Sequence, residues 1–128
     1  MKQLTLVAAV ILLSLSFTAC KKKKEDTANT SRTLRFEITG NYTGPLFASY
    51  TTATGGTSND PVSTLPWNKE ITYNSSVTAA IIALSGNGGV AGQQVTIVVK
   101  RGGSEVSSTP VTVGSSGSFT KAAPVVTF

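Results

Sequence analysis

Short apolar–polar alternations, each closed by glycine, proline or asparagine, restrict this chain to a sheet fold. Thr33–Gly40 is the clearest case, with Leu34, Phe36 and Ile38 on one side and polar residues on the other. A period of two predicts a strand with one buried and one exposed face, as in antiparallel sheets. The segments that follow repeat this pattern, and none has the spacing of an amphipathic helix.

Turn residues divide the rest of the chain into runs of strand length. We expect further strands over residues 46–52, 62–65, 67–74, 77–84, 95–99, 105–113 with a kink at Pro110, and 119–128. The polar segment 54–61 is predicted to be the longest loop, and the apolar run 77–84 a strand buried on both faces. Gly102-Gly103 predicts a two-residue hairpin, and Pro124 marks an edge or a bulge in the last strand.

These patterns predict an all-β domain over residues 32–128. Seven to nine short antiparallel strands with regular turn signals are typical of an immunoglobulin-like β-sandwich. The chain has 128 residues, which leaves room for one such domain and a leader.

The amino-terminal segment is typical of an export signal. Lys2 precedes Leu4–Phe17, an uncharged and mostly apolar run. As a helix these residues would span about 21 Å, less than the ~30 Å hydrocarbon core, which favours a signal peptide over a membrane span.

Small residues and one cysteine, Thr18-Ala19-Cys20, end this run. The arrangement resembles the lipobox of bacterial lipoproteins, in the looser form found in Bacteroidota. The resemblance implies a signal peptide over residues 1–19, lipidation of Cys20, and a palmitate-type anchor in the cell envelope, with the outer membrane expected. The alternatives are ordinary cleavage after a small residue, or an anchor that stays uncleaved.

Residues 20–31 read as a tether between the anchor and the domain. Four lysines, Lys21 to Lys24, carry most of the net charge of +5. They predict either contact with anionic headgroups or a solvated spacer. The domain itself has six basic and four acidic residues, a balance of +2 without the clustering that nucleic-acid binding needs. Thr27 lies in an Asp-Thr-Ala triplet that resembles a short Bacteroidota O-glycosylation motif.

The composition argues against an enzyme. With no His and one Cys, the chain has no Ser–His or Cys–His pair, no disulfide and no His-ligated or multi-cysteine metal site. We expect no catalytic residue, metal or cofactor. Glu37, Glu70 and Glu105 lie on predicted strands beside basic residues, so we expect cross-strand charge pairs rather than an acid–base pair.

The order of segments resembles the soluble domain of the mycobacterial membrane protein small (MmpS) family. The matching segments are residues 34–40, 48–52, 65–67 with 69–72, the apolar run 77–86, and the hairpin 95–105. Unlike that family, this chain has a lipobox in place of a membrane helix and lacks a cysteine pair in the domain. The resemblance implies an immunoglobulin-like sandwich that assists an RND-type envelope transporter.

Leu65, Pro66, Trp67 and Tyr50 are the candidate contact residues. A single Trp is either a core residue whose strand entry Pro66 sets, or an aromatic platform for a glycan, a lipid or a partner protein. We therefore expect a non-enzymatic, lipid-anchored binding or transport accessory module. The alternatives are a glycan- or lipid-binding surface lipoprotein and a pilin-like subunit that assembles by strand addition.

Overall fold

The computed structural model describes residues 29–128, and every regular element within them is a strand. In chain order the strands are β1 (Thr33–Gly40), β2 (Leu46–Thr51), β3 (Thr57–Pro61), β4 (Trp67–Thr72), β5 (Ala79–Ala80), β6 (Ile82–Gly86), β7 (Gln94–Arg101), β8 (Ser104–Thr112), β9 (Phe119–Ala122) and β10 (Val126–Thr127). The first sheet has the order β4-β1-β7-β8 and the second β3-β2-β6-β9, while β5 and β10 pair as a short ribbon.

The two sheets pack face to face because their apolar alternations point inwards. On β1 and β7, the inward side chains are at most 1% exposed: Leu34, Phe36, Ile38, Val95, Ile97 and Val99. They meet Tyr50, Ile82 and Leu84 of the second sheet in one buried cluster. Burying each large side chain contributes about 1.5–3 kcal/mol, so this layer supplies much of the folding free energy.

This architecture confirms the predicted all-β sandwich of antiparallel strands. All the pairs that join neighbouring strands are antiparallel. The described residues contain ten strands where seven to nine were predicted, and the ribbon of two-residue strands makes the difference.

The predicted loop at residues 54–61 is in part a strand. Thr57–Pro61 pairs along β2, from Phe47 opposite Pro61 to Thr51 opposite Thr57. Because β3 is a polar edge strand, it lacks the alternation of apolar and polar residues from which the other strands were predicted. The predicted strand at 62–65 is instead the connection to β4, and its Val62 is buried as the chain crosses between sheets.

The apolar run 77–84 is not buried on both faces. Val77, Ala80, Ile82 and Leu84 are buried, whereas Ile81 between them is 37% exposed. The run divides into β5 and β6, which pair with different partners. The run is almost continuously apolar because Ala79 and Ala83 lie on its other face. Their methyl groups are small, so leaving them half exposed costs little free energy.

The hairpin between β7 and β8 has the predicted two-residue turn. Gly102 and Gly103 have φ values of 55° and 86°, as the primed turns that match strand twist require. The ladder irregularity lies between Val99 and Lys100 rather than at Pro110, because β8 continues through that proline. The predicted last strand is divided around Pro124 into β9 and β10.

Candidate functional site

The candidate contact residues lie where the free edges of the two sheets meet. β3 ends the second sheet and β4 ends the first. Lys69 on β4 joins the two edges, since its Nζ lies 3.6 Å from Oδ2 of Asp60 on β3. The side chains of both partners are partly exposed, and Lys69 also lines a cleft.

Tyr50 is the centre of this edge. Its side chain is 4% exposed, and its hydroxyl donates a 2.6 Å hydrogen bond to Asp60 Oδ2. Its ring centroid lies 6.2 Å from that of Phe36 and 6.3 Å from that of Trp67. Lys69 Nζ lies 5.7 Å from the same ring, within cation–π distance.

Trp67 is packed against the core and partly exposed to solvent. It opens β4 opposite Ile38 of β1, so one side of the indole packs on the core. The residue remains half-buried, which leaves part of it open to solvent. Leu65 is also half-buried against the core and Pro66 is exposed. The fold therefore brings Tyr50 and Trp67 together, with Leu65 and Pro66 beside them along the chain.

The charges at this edge are mutually stabilised. The pKa of Asp60 is lowered, first by the Tyr50 hydroxyl, then by Ser58, and then by Lys69. Ser58 Oγ donates to Asp60 Oδ1 at 3.0 Å. The pKa of Lys69 is raised, first by Tyr50 and then by Asp60. Nearby, burial raises the pKa of Tyr73 to about 12.

A cleft of about 400 Å³ lies beside the cluster. Its lining includes Tyr50, Ala53, Ser58, Lys69, Ile71 and Thr72. Apolar surface from Ala53 and Ile71 thus adjoins an ammonium group and several hydroxyls. Such a mixture suits recognition of a polar surface that carries an apolar anchor. We refer to this cleft, with Leu65–Trp67, as the Trp67 edge.

Sequence reasoning missed the contributions of Ser58 and Asp60 to this cluster. Both lie in the segment 54–61 that the sequence predicts to be a loop, although their spacing of two is that of neighbouring positions on one face of a strand. Lys69 lies on β4, an edge strand. Its partner could not be inferred, because Asp60 belongs to the other sheet.

The predicted charge pairing is present at one of three glutamates. Glu37 lies 2.8 Å from Arg35 Nε and 3.1 Å from Lys100 Nζ, and these contacts, led by that of Lys100, lower its pKa. Glu70 stands opposite Arg35, and Glu105 opposite Lys100. Within residues 29–128, however, neither of these two forms a salt bridge.

Two sequence predictions, lipidation of Cys20 and glycosylation of Thr27, lie outside the described residues. Among residues 29–128 no three His, Cys, Asp or Glu side chains are grouped as a metal site. Nor does this part of the chain include a helix of sufficient length and apolarity to span a bilayer. In comparisons with known proteins, no family profile and no curated sequence matches the chain.

Proposed function

We propose that this chain is a non-enzymatic, lipid-anchored protein of the cell envelope that acts as a binding or accessory module for an envelope transporter. The observation that carries the proposal is the Trp67 edge. There an aromatic pair, an ion pair and an open cleft lie together at the border of two sheets. Half-buried aromatic residues beside charged groups are the side chains that most often anchor protein partners.

The lipobox and the tether support a location at the membrane. Lipidation of Cys20, with cleavage before it, would hold the domain on the outer membrane. The twelve residues from Cys20 to Ser31 reach at most about 40 Å when extended. A partner within that distance of the bilayer is therefore in reach, and an RND-type transporter is the class that the MmpS resemblance implies.

The backbone of β4 supports partner contact at this edge. Tyr73 donates its N–H to Arg32 beside β1. By alternation, Asn68, Glu70 and Thr72 direct their N–H and C=O groups away from the ladder. A partner segment has both these groups and the neighbouring cleft available for binding.

Site-specific photo-crosslinking in the native envelope tests this proposal. Benzoylphenylalanine replaces either Asn68, next to Trp67, or Thr112, on the opposite edge of the same sheet. Both positions are exposed, so both tolerate the probe. We expect a transporter subunit to be captured from position 68 and not from position 112. Capture of the same abundant envelope proteins from both positions would contradict the proposal.

A glycan- or lipid-binding role is the second candidate, and the open side of Trp67 favours it. Because Trp67 is the only tryptophan, iodide quenching of its fluorescence reports on this position alone. If the protein binds a glycan or lipid, adding that ligand to the isolated protein should protect Trp67 from iodide. If it is a transporter accessory protein, Trp67 should be protected only when the transporter is present. A pilin-like role is disfavoured by the prolines on two of the free edges, Pro61 and Pro110.

A further inference from the structure

The outward face of the second sheet bears no charged side chain along two complete rows. One row crosses all four strands as Pro61, Phe47, Ser85 and Thr120. The adjoining row is Asn59, Ser49, Ala83 and Ala122. In contrast, the corresponding row of the first sheet carries Glu70, Arg35, Lys100 and Glu105. A charged ligand would find no ion-pair partner along these two rows, so they favour an uncharged ligand.

An exposed aromatic side chain stands on this uncharged face. Phe47 is 47% exposed, and it is the only aromatic residue among the exposed large hydrophobic side chains of residues 29–128. Beside it lies a cleft of about 450 Å³, lined by Phe47, Ser85, Asn87, Ser118, Phe119 and Thr120. The lining therefore combines the exposed Phe47 ring with hydroxyl and amide groups.

On the core side of the sheet, behind the cleft, Tyr42 holds Phe119 in place. Phe119 packs edge to face on Tyr42, with ring centroids 5.2 Å apart and an interplanar angle of 88°. The Tyr42 hydroxyl donates to the carbonyl of Gly117 at 2.9 Å, just before Ser118. Gly86 provides the space, because a Cβ there would lie 2.6 Å from the Phe119 ring. The segment Gly117–Phe119 at this end of the cleft is thus fixed before any ligand arrives, which lowers the entropy cost of binding.

Several polar groups of the cleft are free to bind a ligand. Ser118 Oγ donates to Asn87 Oδ1 at 3.3 Å, which orients the amide. Within residues 29–128, the side-chain nitrogen of Asn87 and the hydroxyls of Ser85 and Thr120 have no hydrogen-bond partner in the protein. Hydroxyls both donate and accept, and the amide nitrogen supplies two donors.

We propose that this cleft binds an uncharged oligosaccharide. The apolar C–H face of a sugar ring packs on an aromatic side chain, while its hydroxyls exchange hydrogen bonds with Ser, Thr and Asn. Phe47 offers the platform, and Ser85, Asn87 and Thr120 offer the hydrogen bonds. The rows extend across four strands, about 14 Å, so the chain of sugars can continue beyond the cleft. The site shares no lining residue with the Trp67 edge, so it does not depend on the function proposed there.

Calorimetric titration of the full lipidated chain tests the proposal. The chain is held in micelles of a detergent without sugar headgroups, and the probes are linear hexasaccharides of glucose, mannose and xylose. Oligogalacturonate of the same length is the acidic probe. We expect at least one neutral hexasaccharide to bind, and Phe47→Ala to weaken that binding at least tenfold. Val106→Ala, at a similarly exposed apolar residue on β8 of the other sheet, should leave it unchanged.

Three outcomes would overturn the proposal. The first is absence of binding by all three neutral hexasaccharides at millimolar concentration, and the second is equal or tighter binding of oligogalacturonate. The third is a concentration-dependent dimer that Phe47→Ala abolishes without any sugar binding, which would make this face a contact between two copies of the chain. Thermal unfolding of Phe47→Ala verifies that the variant is folded, as its exposure leads us to expect.

Discussion

At the scale of single residues, Tyr50 has the most consequential position in the domain. It is buried in the core, yet its hydroxyl reaches the ion pair that joins the edges of the two sheets. Its ring also supports Trp67, the residue from which partner binding is proposed. A change at Tyr50 is therefore expected to affect stability and partner binding together.

Replacing Tyr50 by Phe removes the hydroxyl and keeps the packing. We expect a loss of about 0.5–1.5 kcal/mol in the free energy of unfolding, since one hydrogen bond to Asp60 is lost. Urea denaturation of Tyr50→Phe, Asp60→Ala and the double variant measures the coupling between the two residues. A coupling energy of zero would mean that the 2.6 Å contact contributes nothing to stability.

Asp60 should make stability depend on acid pH. Because the folded state lowers its pKa, Asp60 contributes stability above the unfolded-state value of about 3.9, and this is lost as the pH falls through the lower folded value. We therefore expect the free energy of unfolding to fall less steeply in Asp60→Asn than in the parent between about pH 5 and about pH 2. Glu70→Gln, which also removes one negative charge, serves as the control. Equal slopes in Asp60→Asn and the parent would contradict the prediction.

At the scale of elements, the sandwich limits strand addition with prolines. Val62 and Val113 direct their N–H groups towards their partner strands. By alternation, Pro61 on β3 and Pro110 on β8 face outwards, where each removes one donor from a free edge. Natural sheets use proline in this way to prevent edge-to-edge association.

Pro110→Thr should therefore promote self-association through β8. The substitution restores an outward N–H at the seventh position of a nine-residue edge strand. We expect a concentration-dependent increase in apparent mass in sedimentation experiments, absent from Pro124→Thr, where the proline lies between strands. A Pro110→Thr protein as monomeric as its parent would show that Pro110 does not protect this edge.

The turns allow a test of local packing through two glycines. Gly103 and Gly117 both have positive φ, 86° and 70°, so alanine is strained at either. A Cβ at Gly103 meets nothing within 4 Å, whereas at Gly117 it would overlap the carbonyl oxygen of Gly89. We expect Gly103→Ala to cost about 1–2 kcal/mol, the cost of left-handed backbone. Thermal unfolding should show a larger loss for Gly117→Ala, and equal losses would argue against the close approach to Gly89.

At the scale of the whole molecule, the two outer faces of the sandwich differ in chemistry. One carries charged residues of both signs, and the other carries none around Phe47. The Trp67 edge lies between them, where β3 and β4 end their sheets. The protein thus has an edge at which we propose partner contact and a separate uncharged face, and we expect the tether to hold both near a membrane.

Cys20→Ala tests the anchor on which this arrangement depends. Lipidation would attach acyl chains to the only sulfhydryl of the protein, and two or more chains hold a protein firmly on a bilayer. We expect labelled palmitate to enter the parent and not Cys20→Ala, which should leave the membrane fraction. Equal labelling of both proteins, or no labelling of either, would contradict lipidation at Cys20.

The sequence alone determined the fold class and the positions of most strands. The alternation in β1 and β7 predicts which of their side chains are buried, and Gly102-Gly103 predicts the turn between β7 and β8. Both features depend only on residues that are close together in the chain. Only the tertiary structure revealed β3 and the division of residues 77–84, since an edge strand or a strand that changes partner is defined by distant pairing. The same reason applies to both sites. Asp60 and Lys69 come from different sheets, and Phe47 lies beside Ser85 and Thr120 through strand pairs that are distant in the chain, so no local pattern encodes either group.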